Sequence, residues 1–67
     1  MKKFVIRCTE PGHRTCYVKH SGRVGGFVVT YSKADARRMR LDVARKLIAF
    51  MQAVDTRMAF DVSEVEL

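Results

Sequence analysis

From Lys33 to Val54 the chain carries no glycine or proline, and its apolar residues recur at steps of three and four. A stretch of that kind reads as a helix with one apolar side. Ala36, Met39, Val43, Leu47, Phe50 and Val54 form the stripe, and Leu41, Ala44, Ile48 and Met51 widen it to about half the circumference. The opposite arc carries Asp35, Arg38, Asp42, Arg45, Lys46 and Gln52. Ser32 supplies an N-cap residue with Asp35 three positions on, close to a capping box. The pattern predicts a helix over 33–54.

The flanking segments alternate with a period of two instead. Phe4, Ile6 and Cys8 share one face of a strand over 3–8, with Lys3, Val5 and Arg7 on the other. Glu10-Pro11-Gly12 is a turn, because proline presets φ and glycine tolerates positive φ. A second strand over 15–20 places Cys16 and Val18 on one face and Tyr17 and Lys19 on the other. A glycine-rich turn over 21–26 leads to a third strand, Phe27–Tyr31, rich in β-branched and aromatic residues. After Asp55-Thr56-Arg57 a last strand runs over 58–67. Its alternation shifts phase at Ser63-Glu64, as a bulge or a strand end would make it.

These elements define an α+β fold in one domain over 1–67: a three-stranded antiparallel meander, one long amphipathic helix, and a final strand. A crossover through one helix makes strand four parallel to strand three, and so to strand one. The expected sheet order is 3-2-1-4 with the helix on one face. Lys3 and Arg7 would then meet Asp61 and Glu64 across the strand pair. The expected core is Phe4, Ile6, Val18, Phe27, Val29, Leu47, Phe50, Phe60 and Val62. The other sheet face would show Val5, Tyr17, Val28 and Thr30.

At 67 residues such a domain buries only roughly 60% of its unfolded surface, which leaves little mass to enclose an active site. No apolar run approaches the ~18 residues of a membrane span. The start, Met1-Lys2-Lys3 followed by Phe4-Val5-Ile6, is basic then apolar. That apolar run is shorter than the roughly 7–15 residues of an export signal, so the expected setting is the cytoplasm, and no membrane partner is expected. Cys8 and Cys16 are too few for a disulfide scaffold and are expected as thiols.

Cys8, His13, Cys16 and His20 have the chemistry of a zinc set but not its spacing. Cys16 and His20 would stand about 13 Å apart along an extended strand. No metal and no cofactor is expected. Gly22, Gly25 and Gly26 precede a strand and not a helix, unlike a phosphate-binding loop. No acid is identifiable to orient a cysteine–histidine pair, so the chain is expected not to be an enzyme.

Charge points to a binding role. The net charge is +6; all 13 Lys and Arg lie at or before Arg57, and three of the seven acids lie after it. A basic body favours an anionic partner. Arg37, Arg38 and Arg40 stand where cations oppose the helix dipole. Arg37, Arg38, Leu41, Arg45 and Ile48, at one edge of the apolar arc, are candidates for a protein interface with a host protein, a nucleoprotein complex or a second copy in a homodimer. The alternative is nucleic acid, bound through Lys3, Arg7, Arg14, Tyr17, Lys19, Arg23, Lys33 and Arg40.

The residues Tyr17-Val18-Lys19-His20, Gly22, Gly25-Gly26-Phe27-Val28 and Thr30, then Ala34, Ala36-Arg37-Arg38, then Phe60, Val62 and Val65 resemble those of small phage and prophage proteins of βββαβ type. They cover most of the chain and mainly encode the fold. The resemblance implies an inhibitor that binds a host complex in the bacterial cytoplasm and blocks it, as anti-CRISPR proteins do. The basic body departs from inhibitors that mimic DNA by being acidic.

Overall fold

The computed structural model describes residues 2–21 and 27–65. The elements are β1 (Lys3–Thr9), β2 (Cys16–Ser21), β3 (Phe27–Thr30), a 3-10 turn (Lys33–Asp35), α1 (Leu41–Val54) and β4 (Ala59–Val65). The strands form one antiparallel sheet of order β3-β2-β1-β4, and α1 packs on β1 and β4. The fold is α+β, with the expected sheet order. The glycine-rich turn, with Arg23, lies outside the described residues, as do Glu66 and Leu67 at the end of the expected fourth strand.

The turn between β1 and β2 forms as its sequence dictates. The His13 amide donates to the Glu10 carbonyl at 3.0 Å, and Gly12 takes φ +83°, a conformation that favours glycine at the third position of such a turn.

Two expectations fail together. The helix does not start at Lys33, and β4 does not run parallel to β1. The segment 33–40 holds a three-residue 3-10 turn and then extends, with Ala36 at ψ 148° and Arg40 at ψ 156°. Met39 pairs with Phe4 through two backbone hydrogen bonds of 2.9 and 2.8 Å, and the Arg37 amide donates to the Val18 carbonyl at 3.0 Å. The segment thus lies between the diverging ends of β1 and β2. Unpaired backbone groups there outweigh the modest helix propensity of the arginines and alanines. The Ser32 side chain makes no cap hydrogen bond.

This extra pass reverses the last strand. β3 ends at Thr30, opposite Tyr17, which itself lies opposite Arg7; the chain then returns to the level of Phe4 before α1 begins. α1 climbs again, so β4 must descend. Ala59 pairs with Thr9 and Val65 with Lys3, antiparallel throughout. Lengths agree: 14 helical residues rise about 21 Å, and the seven residues of β4 span about 23 Å. The pairing of β4 has no register shift at Ser63-Glu64; the irregularity is in β2, between Val18 and His20.

The core cluster holds Ile6, Cys8, Cys16, Val18, Met39, Ala44, Met51 and Phe60, with Phe27, Leu47, Ile48, Met58 and Val62 packed against it. Val5 and Ala36 are also buried, outside that cluster. Val5 shares the face of Arg7 by alternation, but it is buried there and not open to solvent. Phe50 and Val29, expected in the core, are exposed, and Phe4 is half-buried. The helix is rotated relative to the expected stripe: Ala44 and Met51 point inward. With Ala36 and Met39 removed from the helix, its phase is set by Leu41, Ala44, Ile48 and Met51 alone.

Candidate interaction surface on the helix flank

Rotation of α1 leaves an apolar row on its side. Val43, Phe50 and Val54 are 45%, 53% and 56% exposed. At 3.6 residues per turn they lie roughly a quarter-turn round the helix from Ala44 and Met51. Beside the row runs an open groove of about 330 Å³, lined by Arg37, Met39, Val43, Lys46, Leu47 and Phe50. Met39 and Leu47 form its floor, as both belong to or pack on the core. Arg37 enters it from the extended segment, which is held in place by its amide bond to Val18. Lys46 enters from one turn along the helix. The result is a strip of hydrocarbon with two cations at its margin.

Val43, Phe50 and Val54 do not stand out as a surface in the sequence, because the stripe that includes Met39 places them inside. The signal that finds them is the competing phase 41-44-48-51, which becomes decisive once the helix starts at Leu41.

The expected interface residues separate. Arg37 lines the groove. Leu41 is half-buried and shares a second hollow with Lys2, Arg40, Asp42 and Arg45. Ile48 packs against the core. Arg38 is exposed on the extended segment. These five residues do not form one patch.

The expected nucleic-acid residues are likewise spread out, and four of the eight are engaged within the chain. On the face of the sheet opposite α1, Arg7 reaches across to Asp61, with Nε donating to Oδ1 at 2.9 Å and Nη2 bonded to Oδ2. The hydrogen bond to Asp61, and secondarily its charge, raise the Arg7 pKa above its ordinary value. This is the charge match expected between strands one and four. Its second half differs: Lys3 is in register with Val65, and Glu64 instead faces Lys2 at 3.6 Å. Tyr17, half-buried, stands opposite Arg7 on the other side. The Arg14 guanidinium lies 4.2 Å from the centre of the Tyr31 ring. Lys33 donates to the Glu64 carbonyl at 3.3 Å, and Arg40 meets Asp42 at 3.4 Å. Lys19 is exposed.

Cys8 and Cys16 stand opposite one another across β1 and β2, both buried and both free thiols. Burial, and secondarily the neighbouring Cys16, push the Cys8 thiol up to about 12 from 9.0. Among the described residues no group of three or more His, Cys, Asp or Glu side chains gathers as metal ligands would. None of the described helices is long and apolar enough to cross a membrane.

No protein-family model, curated protein or solved structure matches the chain.

Proposed function

We propose that this chain is a non-enzymatic protein-binding module, and that the groove beside α1 is its binding surface. The observation that carries this is the exposed row Val43, Phe50 and Val54 next to Arg37 and Lys46. Three large apolar side chains at positions i, i+7 and i+11 recur on one side of a helix, which is how helices present anchors to a partner. Isolated exposed apolar residues are ordinary, but a contiguous row beside a groove marks an interaction site. The two cations set the partner's chemistry: an apolar protein surface with carboxylates at its edge.

The inhibitor role implied by the sequence resemblance fits such a surface. A stoichiometric blocker needs only to occupy a partner's contact face, and the net charge of +6 steers it toward an acidic one. The non-enzymatic part of the proposal is supported by the state of the thiols, which are buried away from solvent, with Cys8 held protonated.

Nucleic-acid binding has less behind it. Arg7, Arg14, Lys33 and Arg40 are each engaged within the chain. Affinity purification from the bacterial host, with wild type beside Val43→Glu/Phe50→Glu, tests the proposal. A host protein retained by the wild type and lost with the double variant supports it. A partner retained equally by both puts the binding surface elsewhere.

A further inference from the structure

The cysteine pair is independent of the helix groove and has a chemistry of its own. Cys8 and Cys16 are direct cross-strand partners, and both side chains enter the helix-facing core. The hydrogen bonds define the kind of pair. Phe4 directs its amide and carbonyl toward Met39, on the β2 side of β1. Backbone groups alternate along a strand, so Ile6 and Cys8 direct theirs the same way. Val18 directs its carbonyl toward the Arg37 amide, on the β1 side of β2, and Cys16 shares that parity. Cys8 and Cys16 are therefore a hydrogen-bonded antiparallel pair, whose α-carbons lie about 5.5 Å apart. Disulfides take α-carbon separations of about 4.4–6.8 Å.

We propose that Cys8 and Cys16 are a reversible modification site, closed into a cross-strand disulfide by low-molecular-weight disulfides. Cys16 is the first residue of β2 and follows an exposed turn, whereas Cys8 has no exposed surface. Fraying of that strand end exposes Cys16 first. Its thiolate attacks one sulfur of the small disulfide; a sulfur–sulfur bond forms, and one small thiol leaves with a proton. Cys8 then gives up its proton to solvent and attacks the Cys16 sulfur, expelling the second small thiol. Two protein sulfurs are oxidised, and one small disulfide is reduced to two thiols.

The same geometry makes the bond easy to reopen. β-Carbons of directly paired residues stand about 4.5–5.5 Å apart, and a disulfide needs about 3.5–4.5 Å. β1 and β2 must draw together to close it. Among the described residues the ladder between them covers Arg7–Tyr17 and Cys8–Cys16, so the direct pairing that fixes their spacing is short. A bond closed against strain is readily reduced.

The test is incubation of the folded protein with oxidised glutathione in native buffer. Free thiols are then alkylated in denaturant and the products weighed. The expected product is monomer lacking two hydrogens, with neither cysteine alkylated, which reduced glutathione reopens. Cys8→Ser and Cys8→Ala should both trap glutathione on Cys16, because the resolving sulfur is gone; two replacements guard against one that fails to fold. Wild-type protein that accumulates glutathione adducts without closing overturns the proposal. So does closure that needs denaturant, or that joins two chains. None of these outcomes depends on the helix groove.

Discussion

Phe27 on β3 and Phe60 on β4 meet edge to face, with ring centres 5.7 Å apart and planes at 77°. Their strands are the two opposite edges of the sheet. A flat sheet would hold those edges three strand spacings apart, roughly 14 Å. The contact therefore requires a strongly coiled sheet, which curls two edge residues toward each other over the helix-facing side. It ties the ends of the chain order together without any hydrogen bond between β3 and β4.

The first prediction follows from that contact. Phe60 is 9% exposed and Phe27 half-buried. Phe60→Ala should cost about 3–5 kcal/mol, the usual range for removing a buried phenyl ring. Phe27→Ala should cost less. A double-mutant cycle by urea unfolding should return a coupling of about 0.5–1.5 kcal/mol, the worth of an edge-to-face pair beyond its area. A coupling of zero would mean that the rings do not meet in solution.

The second prediction concerns the segment before α1. Met39→Pro removes the amide that donates to the Phe4 carbonyl at 2.8 Å and also leaves Phe4 without its partner on that side. It should destabilise the protein by about 3 kcal/mol or more. Arg38→Pro lies one residue earlier, at an amide that donates no backbone hydrogen bond among the described residues, and should be milder. If 33–54 were one helix, both prolines would be equally damaging. Thermal unfolding of the two variants reads the difference directly.

That segment also marks the boundary of what the sequence made legible. Strand positions and the Pro11-Gly12 turn follow from local alternation and turn chemistry, because they depend on neighbours in sequence; the sheet order was reached through the charge match of strands one and four and through a parallel crossover that the chain does not make. The Arg7–Asp61 pair was legible as well, since it needed only β1 beside β4 in the right parity. The direction of β4 was not. It depends on Met39 pairing with Phe4, a contact across most of the first half of the chain that helix propensity gives no hint of. One misplaced helix start then rotated the apolar stripe. Phe50 moved from the core to the surface; of the interface residues read from the stripe's edge, Arg37 and Arg38 fell on the extended segment while Leu41, Arg45 and Ile48 stayed on the helix.

The third prediction uses the Cys8 thiol. Its pKa is about 12 in the fold against 9.0 for a free thiol, so between those values the folded state holds a proton that the unfolded chain releases. By linkage, stability is unaffected by this group below about pH 9 and falls as pH rises from there toward 12. Arg7, whose pKa is raised by its hydrogen bond to Asp61, stays charged throughout that window. Urea unfolding at pH 7 and pH 10 should therefore show a larger drop for wild type than for Cys8→Ala. In native buffer near pH 8, Cys8 should alkylate far more slowly than a free thiol, because it is buried and held protonated. Labelling of Cys8 at the rate of a free peptide thiol would contradict its burial.

The fourth prediction separates a protein partner from a phosphate backbone. If nucleic acid were the ligand, affinity would fall by decades between about 50 and 200 mM salt and tolerate many sequences. Binding through an apolar groove with two marginal cations should weaken severalfold at most over that range, because buried apolar contact is not screened. The readouts are titration of the partner found by affinity purification and, in parallel, of mixed-sequence DNA and RNA. A steep salt slope with nucleic acid, together with no salt-resistant protein complex, would favour the phosphate-binding alternative.

The fifth prediction places the binding surface on one flank of α1 by comparing two pairs of substitutions on the same helix. Val43 and Phe50 are largely exposed. Val43→Glu/Phe50→Glu should leave the helical circular dichroism and the unfolding midpoint close to wild type, since exposed replacements usually change stability by within about 0.5 kcal/mol each. Leu41 is half-buried and Ile48 packs on the core. Leu41→Glu/Ile48→Glu should cost about 2 kcal/mol or more, because a carboxylate at Ile48 loses solvation with no cation inside to pair it. Arg37→Glu/Lys46→Glu completes the comparison: it keeps the apolar row and reverses the charge beside it. If the partner carries carboxylates at its edge, this pair should weaken binding at least tenfold while leaving the fold intact. If Val43→Glu/Phe50→Glu unfolds the chain, these residues belong to the core and the rotation of α1 is wrong. If it folds and still binds, the surface lies on the open sheet face around Arg7 and Tyr17.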